Sequence, residues 1–290
     1  MIPTPFTAIL AIIVLFFALP ASGQQARFPD TVPGISWIAG SAIEGGMVVA
    51  RVGPGISLTL DGETVMQSDD GHALIGFHRD SDTPASLRVS HAGGESYLVT
   101  ITTTQRDYDI QRIDGLKQTH VTPPATVLER IGDDAAAVRT ARSQSDAGVA
   151  AGDFLRGLDM PVEGQVTGIY GSQRILNGQP RQPHYGIDVA AARGTPVLAP
   201  AGGRITLVRD LYFSGWTVLM AHGLGLNSTF LHLDEVRVAE GDEVMRGAII
   251  GTVGSTGRST GPHLDWRLDW QGRRLDAALV RQQLASRQTQ

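Results

Sequence analysis

Short runs of alternating or β-branched apolar residues, separated by turn signals, dominate the chain from residue 27 to about residue 121. The candidate strands in this region are 46–52, 56–60 and 96–101. The turn signals between such runs are Asp61-Gly62, Asp70-Gly71 and Gly93-Gly94. This spacing predicts a small β-sandwich-like domain over residues 27–121. The histidines of this region are scattered among turns, so we interpret His72, His78 and His91 as ordinary surface residues.

The hydrophobic pattern changes to a helical period after Pro123-Pro124. The apolar positions that recur at this spacing are Val127, Leu128, Ile131, Ala135 and Val138. Thr126 precedes them and is the expected N-cap, whereas Gly148 and Gly152 weaken the later part of the helix. The pattern predicts a helical connector over residues 122–158.

A Gly-rich pattern of strands and turns follows from residue 159. The candidate strands are 166–170, 203–208, 216–220, 228–232 and 249–253. No long helical pattern interrupts them, which predicts an antiparallel β domain over residues 159–280 and a tail at 281–290. The expected fold class is therefore mostly β, with a sandwich-like N-terminal domain, a helical connector and an antiparallel β C-terminal domain.

The composition restricts the possible chemistry. The 290 residues are 42% hydrophobic, which is enough for a packed core, and they include no cysteine. A disulfide framework, a thiol nucleophile and a Cys-based metal site are therefore excluded. The formal charge of −5 gives no electrostatic case for nucleic acid, and we expect no nucleic-acid partner.

An uninterrupted apolar run at residues 8–19 is followed by Pro20 and the small residues Ala21-Ser22-Gly23. This pattern predicts a signal peptide over residues 1–23, although no Lys or Arg precedes the run. The run is short for a membrane span, which needs about 20 apolar residues. We therefore expect a periplasmic or secreted protein without a stable membrane span once mature. An uncleaved N-terminal anchor is the alternative.

Three polar clusters lie within the C-terminal β pattern. The first pairs His184 with Asp188, the second centres on His232, and the third joins His263 to Asp265. Residues two apart on a strand face the same way, so His263 and Asp265 should project together. A catalytic zinc site needs three nitrogen or oxygen ligands and an open position. His184, Asp188 and one residue of the third cluster could supply these ligands, which leaves two histidines to act on a substrate.

Residues from about 160 to 276 resemble the catalytic domain of the M23 family, the lysostaphin-like LytM peptidases. The matching stretches are 177–191, 194–202, 230–233, 241–244 and 254–264. Their Gly and Pro positions agree in order, which makes the likeness specific. The preceding β-domain is similar, more loosely, to the domain found ahead of the peptidase in Gram-negative envelope members.

The resemblance implies a role for each polar residue of the three clusters. His184 and Asp188 match the family's metal ligands, and His232 and His263 match its two catalytic histidines. The third ligand of the family is the second histidine of an HxH motif, but here the motif reads His263-Leu264-Asp265. Aspartate is a competent zinc ligand, so a His184, Asp188 and Asp265 site for Zn²⁺ is expected. The second carboxylate should make the zinc a weaker Lewis acid.

Other polar and aromatic residues of the C-terminal domain receive structural or substrate-facing interpretations. Arg174 and Asn177 precede the first cluster and are candidates for substrate binding. Tyr212, in an expected hairpin tip with Phe213, is a third candidate. We interpret His222 as structural and Trp266 and Trp270 as packing residues. Arg267 should share the face of Asp265 and could pair with a carboxylate.

The resemblance implies a zinc-dependent endopeptidase that hydrolyses the peptide cross-links of bacterial peptidoglycan and recognises its stem peptides. The alternative is an inactive LytM-like module that binds peptidoglycan or regulates other wall hydrolases. An envelope regulatory partner fits either function. A purely structural envelope protein would leave the clustered histidines unexplained.

Overall fold

The structure is a computed structural model, which describes residues 31–81, 83–114, 124–144 and 152–285. The predicted signal peptide lies outside the described residues. Strands dominate the fold, as the sequence pattern predicts. Within the described part of the chain, no helix is both long enough and apolar enough to cross a membrane.

The N-terminal part forms two antiparallel sheets. Its strands are β1 (Ile35–Gly40), β2 (Met47–Val52), β3 (Ile56–Leu60), β4 (Glu63–Thr64), β5 (His72–Gly76), β6 (Ala85–His91) and β7 (Ser96–Ile101). One sheet has the order β1-β2-β5 and the other β4-β3-β6-β7. Buried side chains of both sheets, including Val49, Leu74, Leu58 and Leu87, belong to one apolar cluster. The antiparallel sheets confirm the predicted mostly β fold class, and β2, β3 and β7 coincide with the predicted strands.

The C-terminal part contains a ten-stranded sheet and a smaller sheet. The strands after β7 are β8 (Ile110–Ile113), β9 (Gln165–Gly168), β10 (Gln173–Leu176), β11 (Gln179–Pro180), β12 (Gly186–Ala190), β13 (Pro196–Leu198), β14 (Gly203–Leu211), β15 (Gly215–Gly223), β16 (Leu226–Val236), β17 (Glu243–Val244), β18 (Ile249–Val253), β19 (His263–Trp270) and β20 (Arg273–Leu275). The main path is β17-β14-β15-β16-β19-β12-β9, with β13, β18 and β20 attached beside it. All its pairings are antiparallel.

The smaller sheet joins the two parts of the chain. Strand β8, from the N-terminal side of the connector, pairs in parallel with β10, which in turn pairs with β11. The domain boundaries at residues 121, 158 and 280 stay predictions, and β8 shows that backbone pairing crosses the first of them.

Helix α1 (Leu128–Ser143) lies within the predicted connector. The prediction of Thr126 as its N-cap is wrong, because residues 125–127 form a 3₁₀ turn and Val127 caps the helix without a side-chain hydrogen bond. The predicted apolar face is also partly wrong, since Leu128 is 54% exposed. The helix packs instead through Ala141 and its neighbours against Leu207 and Leu219 of the sheet.

Helix α2 (Ala277–Ala285) was missed by the sequence reasoning, which placed its end in a C-terminal tail. Val280 and Leu284 are fully buried in the main core. The side chain of Gln283 accepts a hydrogen bond from the Met47 backbone at 3.0 Å, which joins α2 to β2.

Two histidines of the N-terminal part are not the surface residues that the sequence predicts. His72 is 6% exposed and its Nδ1 lies 2.9 Å from an Asp70 carboxylate oxygen, because β5 is buried along its whole length. His78 is half-buried and its ring lies tilted against Tyr185 of the C-terminal part, with 5.5 Å between centroids.

Candidate metal and catalytic site

Strand pairing brings the two candidate carboxylates together. Asp188 of β12 and Asp265 of β19 are direct partners in the antiparallel register, so they point to the same face of the sheet. Glycines leave room for both carboxylates. A Cβ at Gly168 would lie 2.2 Å from an Asp188 oxygen, and one at Gly186 would lie 2.2 Å from an Asp265 oxygen. Only glycine at these two positions accommodates the carboxylates as they are placed.

His184 precedes β12 and is fixed through its backbone. Its N–H donates to the Ser172 carbonyl at 2.8 Å, and its carbonyl accepts from the Gly171 N–H at 2.7 Å. These bonds place the imidazole Nε2 3.2 Å from Asp188 Oδ1. The HxxxD spacing thus brings its two polar ends together, as the sequence predicts.

His184 Nε2 and Asp188 Oδ1 are buried atoms without a hydrogen-bond partner among the described residues. Buried polar atoms are almost always paired, so two orphaned atoms facing each other need an explanation. Three potential ligand atoms lie within 4.8 Å of one another, one each from His184, Asp188 and Asp265. An imidazole nitrogen and two carboxylate oxygens are a competent donor set for zinc. These residues therefore fit a metal ion.

Asp265 also forms an ion pair, as the sequence reasoning anticipated for Arg267. Arg267 donates from Nε to Asp265 Oδ1 at 3.0 Å and from a terminal nitrogen to Oδ2 at 2.6 Å. Burial by itself would raise the pKa of Asp265, but the adjacent Arg267 outweighs it and lowers that pKa. The carboxylate is thus ionised, and because each oxygen has two lone pairs it can accept these bonds and still bind a metal.

His232 has an unusual backbone that directs it toward this group. Its φ is 63°, in the left-handed region that non-glycine residues rarely adopt, and it lies in the second half of the long strand β16. Its Nδ1 lies 2.8 Å from the Thr256 carbonyl, which can only accept, so Nδ1 carries the proton and Nε2 keeps a lone pair. Burial lowers the pKa of His232, which keeps the ring neutral.

His263 lies beside His232, with 4.9 Å between ring centroids. Its Nδ1 donates to the Gly261 carbonyl at 2.8 Å, which leaves the Nε2 lone pair free to act. That Nε2 is 3.9 Å from Asp188 Oδ1. The structure therefore brings all five residues of the predicted metal and catalytic set into one cluster.

The three predicted substrate-binding residues lie elsewhere. Arg174 is exposed on β10, and Asn177 follows that strand with its N–H donating to the Ile113 carbonyl of β8 at 2.9 Å. Tyr212 lies in the β14–β15 hairpin tip, where its N–H donates to Asp134 of α1 at 2.7 Å. The structure does not bring these residues into the five-residue cluster, and their contact with substrate stays a prediction.

Sequence reasoning also anticipated the packing behind the site. Trp266 and Trp270 are fully buried, which confirms their interpretation as core residues. His222 is 1% exposed, with its Nδ1 bonded to the Gly202 carbonyl and its Nε2 to Ser228 Oγ. Ser228 Oγ also accepts from Trp266 Nε1 at 3.2 Å. His222 therefore belongs to the support of β19 and not to the metal cluster.

Residues 182–277 match the family model described as Peptidase family M23. The matched range includes all five residues of the cluster. The chain therefore contains a peptidase family M23 domain. M23 peptidases depend on a metal, and the His184, Asp188 and Asp265 group could hold one.

Two curated relatives are similar over the same part of the chain. Peptidoglycan DD-endopeptidase ShyA of Vibrio cholerae is 38% identical over 104 residues, which is 36% of this chain and 24% of the relative. DD-carboxypeptidase/endopeptidase Mpg of Neisseria meningitidis is 43% identical over 97 residues, which is 33% of this chain and 22% of the relative. The matched segment thus spans about a quarter of each relative's length.

A solved structure from Pseudomonas aeruginosa, assigned to peptidase M23 by a structural genomics consortium, is similar over both parts of the chain. It is 28% identical with a TM-score of 0.61, and the match covers 82% of this chain and 93% of that one. The likeness therefore extends beyond the M23 domain to the N-terminal sheets.

Proposed function

We propose that the M23 domain of this chain is a zinc-dependent endopeptidase that cleaves the peptide cross-links of bacterial peptidoglycan. The observation that carries the proposal is the facing pair of buried atoms, His184 Nε2 and Asp188 Oδ1, which lack hydrogen-bond partners in the described structure and converge with Asp265. The DD-endopeptidase named among the relatives supports the same substrate class.

His184, Asp188 and Asp265 are the proposed ligands. Zinc bound there would supply a Lewis acid that polarises the scissile carbonyl and lowers the pKa of a water molecule. Arg267 holds the Asp265 carboxylate in place and balances part of the negative charge that two carboxylates bring to the site. This balance favours a site that keeps its Lewis acidity although aspartate replaces the histidine expected at position 265.

His232 and His263 are the proposed proton-transfer residues. Their Nδ1 atoms donate to backbone carbonyls, which fixes the tautomer and leaves each Nε2 lone pair available. One Nε2 accepts the proton of the attacking water, and the same imidazolium then protonates the leaving amine. Because their ring centroids are 4.9 Å apart, both imidazoles reach one reacting group.

A second function has one observation in its favour. The Arg267 guanidinium bonds to both oxygens of Asp265, an arrangement that would also stabilise a domain that has lost its metal. Such a domain would bind peptidoglycan or regulate another wall hydrolase, with an envelope protein as its partner. Both functions require the periplasmic or secreted location that the N-terminal sequence predicts.

Digestion of purified peptidoglycan separates the two functions. The purified protein is incubated with peptidoglycan, with and without a chelator, and the released fragments are identified by mass spectrometry. For the endopeptidase, uncross-linked peptides form, disappear with chelator and return when zinc is added. A protein that purifies without metal and releases no peptides would contradict the proposal and favour the binding module.

A further inference from the structure

An arginine of the N-terminal sandwich is bonded to the backbone that carries His184. Arg79 follows β5 and is only 4% exposed. Its Nε donates to the Gly171 carbonyl at 3.0 Å. The N–H of Gly171 donates in turn to the His184 carbonyl at 2.7 Å, so two hydrogen bonds connect the sandwich to the proposed metal ligand.

The guanidinium of Arg79 is fixed by three groups, which are the Gly171 carbonyl, the Tyr108 ring and the Asp80 carboxylate. Its carbon lies 4.3 Å from the centroid of the Tyr108 ring, and a terminal nitrogen donates to Asp80 at 2.6 Å. Gly171 has a φ of 87°, and a Cβ there would lie 2.0 Å from the Tyr108 ring. Arginine stacked on an aromatic ring loses little freedom when its remaining N–H groups bind, which makes Arg79 a rigid support.

A second contact joins the same two regions at the residue after His184. The Tyr185 ring lies 5.5 Å from His78 and 6.1 Å from Tyr170, measured between centroids. His78 Nδ1 accepts from the Arg274 N–H at 3.1 Å, which also ties the sandwich to β20. The N-terminal part therefore contacts the segment around His184 in two ways. Arg79 bonds to the backbone next to it, and His78 packs against the Tyr185 side chain.

We propose that Arg79 is a positioning residue for the metal site, so that the N-terminal sandwich completes the geometry of the M23 domain. Arg79 holds the Gly171 carbonyl, and the N–H of the same residue bonds to the His184 carbonyl. Arg79 thereby fixes the backbone from which the His184 imidazole reaches Asp188. Partners that hydrogen-bond directly to a metal-ligating side chain typically change metal affinity 10- to 100-fold when they are replaced. Arg79 acts one hydrogen bond further away, so we expect an effect at the lower end of that range. This inference rests on the metal site proposed above, and it assigns a role to the N-terminal domain that hydrolysis alone does not require.

The test compares Arg79→Gln with Arg273→Gln in the purified protein. Arg273 also bridges the two parts, through Glu63 at 3.3 Å and Asp61 at 3.2 Å, but it does not contact the His184 segment. Zinc affinity is measured by chelator competition without substrate. We expect R79Q to weaken zinc binding about tenfold, with Arg79→Lys intermediate, and R273Q to bind zinc like the wild type.

Amide hydrogen exchange of the metal-free proteins gives a readout that does not depend on zinc. The N–H groups of Gly171 and His184 should exchange faster in R79Q than in the wild type, and at unchanged rates in R273Q. If R79Q does not fold, Tyr108→Leu removes the ring under the guanidinium while keeping Arg79, and it should show the same two effects more weakly.

Wild-type zinc affinity together with wild-type exchange at Gly171 and His184, in folded R79Q or in Tyr108→Leu, would overturn the inference. Failure of the proposed function has a different signature. A wild-type protein that binds zinc without cleaving peptidoglycan would remove the endopeptidase and leave the role of Arg79 intact. A wild-type protein that binds no zinc leaves the exchange rates to decide.

Discussion

The two faces of β19 carry opposite chemistry on one strand. The polar face presents His263, Asp265, Arg267 and Asp269, whereas the other face presents Leu264, Trp266, Leu268 and Trp270. The four apolar side chains are fully buried. On the polar face Asp265 and Asp269 are 2% and 1% exposed, which is costly for carboxylates unless each has a cation. Arg267 and Arg142 provide those cations.

The apolar face of β19 contributes to the stability of the fold, and the polar face carries the residues of the proposed chemistry. The apolar face supplies burial that favours folding, while the polar face buries charge that folding must tolerate. Substitutions on the apolar face should therefore change the free energy of unfolding and leave the chemistry of folded molecules intact. Substitutions on the polar face should change rate or metal binding, and the following predictions test that separation.

Replacement of a catalytic histidine should give the largest effect. We expect His263→Ala to lower the cleavage rate by about 10²–10⁴-fold, because a positioned proton-transfer group is lost. Zinc content and Tm should change little, since His263 is not a proposed ligand. The rate is measured on purified peptidoglycan by mass spectrometry.

His91→Ala is the matched control for that variant. His91 lies at the end of β6 and its ring contacts Tyr97, far along the chain from the cluster. The cleavage rate of the His91→Ala variant should equal that of the wild type. Equal rates for H263A and the wild type would remove His263 from the mechanism and make the polar face of β19 a structural feature.

Trp266→Ala tests the apolar face. Truncation of a fully buried tryptophan should destabilise the protein by about 3–5 kcal/mol, through lost burial and the cavity that remains. Denaturant unfolding measures this loss. The cleavage rate per folded molecule should stay within a few-fold of the wild type, and a loss as large as that of H263A would show that the two faces are not independent.

The alternation along β19 is also where sequence reasoning succeeded best. A period of two residues predicted that His263, Asp265 and Arg267 share a face and that Trp266 packs behind them, and the register confirms it. The HxxxD spacing likewise brought His184 to Asp188. These contacts are local or follow from a single strand, so the sequence pattern alone contains them.

Contacts between distant segments were not predictable in the same way. Arg79 and Gly171 are 92 residues apart, and no periodicity connects them. The positive φ of His232 depends on the backbone around it, including the 2.9 Å bond from its N–H to the Ser214 carbonyl. The sequence does not reveal helix α2, because its burial depends on docking against β1, β12 and β19. Tertiary packing decides such features.

Arg267→Gln connects metal binding with stability. In the metal-free protein this substitution should lower the free energy of unfolding by about 1–3 kcal/mol, because Asp265 loses its charged partner while it stays buried. Zinc should reverse most of this loss, since a bound cation replaces the guanidinium and stabilises the folded state. Thermal unfolding without zinc measures the loss of stability, and the same experiment with zinc measures how much of it is recovered.

Arg142→Gln is the control on the same face of the same strand. Arg142 pairs with buried Asp269 at 2.6 Å, but Asp269 is not a proposed ligand. The Arg142→Gln variant should lose the same stability relative to the wild type with and without zinc. If zinc rescued both variants equally, or neither, Asp265 would not be a metal ligand.

The smallest effect that we expect concerns His222, behind the apolar face. Burial lowers its pKa from 6.5 to about 4, so the folded protein keeps the ring neutral at pH values where the unfolded chain binds a proton. This contribution to stability is complete above pH 6.5 and is lost as the pH falls toward 4. Between about pH 7 and 5.5 the loss should be about 1 kcal/mol.

His222→Gln removes this titration while keeping a side chain that can bond to the Gly202 carbonyl and to Ser228. Denaturant unfolding at several pH values should therefore show a shallower decline for H222Q than for the wild type below pH 6.5. The comparison is made in the metal-free H232A/H263A background, so that the two proteins compared differ only at position 222. Parallel curves in that background would mean that His222 is protonated in the folded protein, and that the support behind Trp266 does not depend on a neutral imidazole.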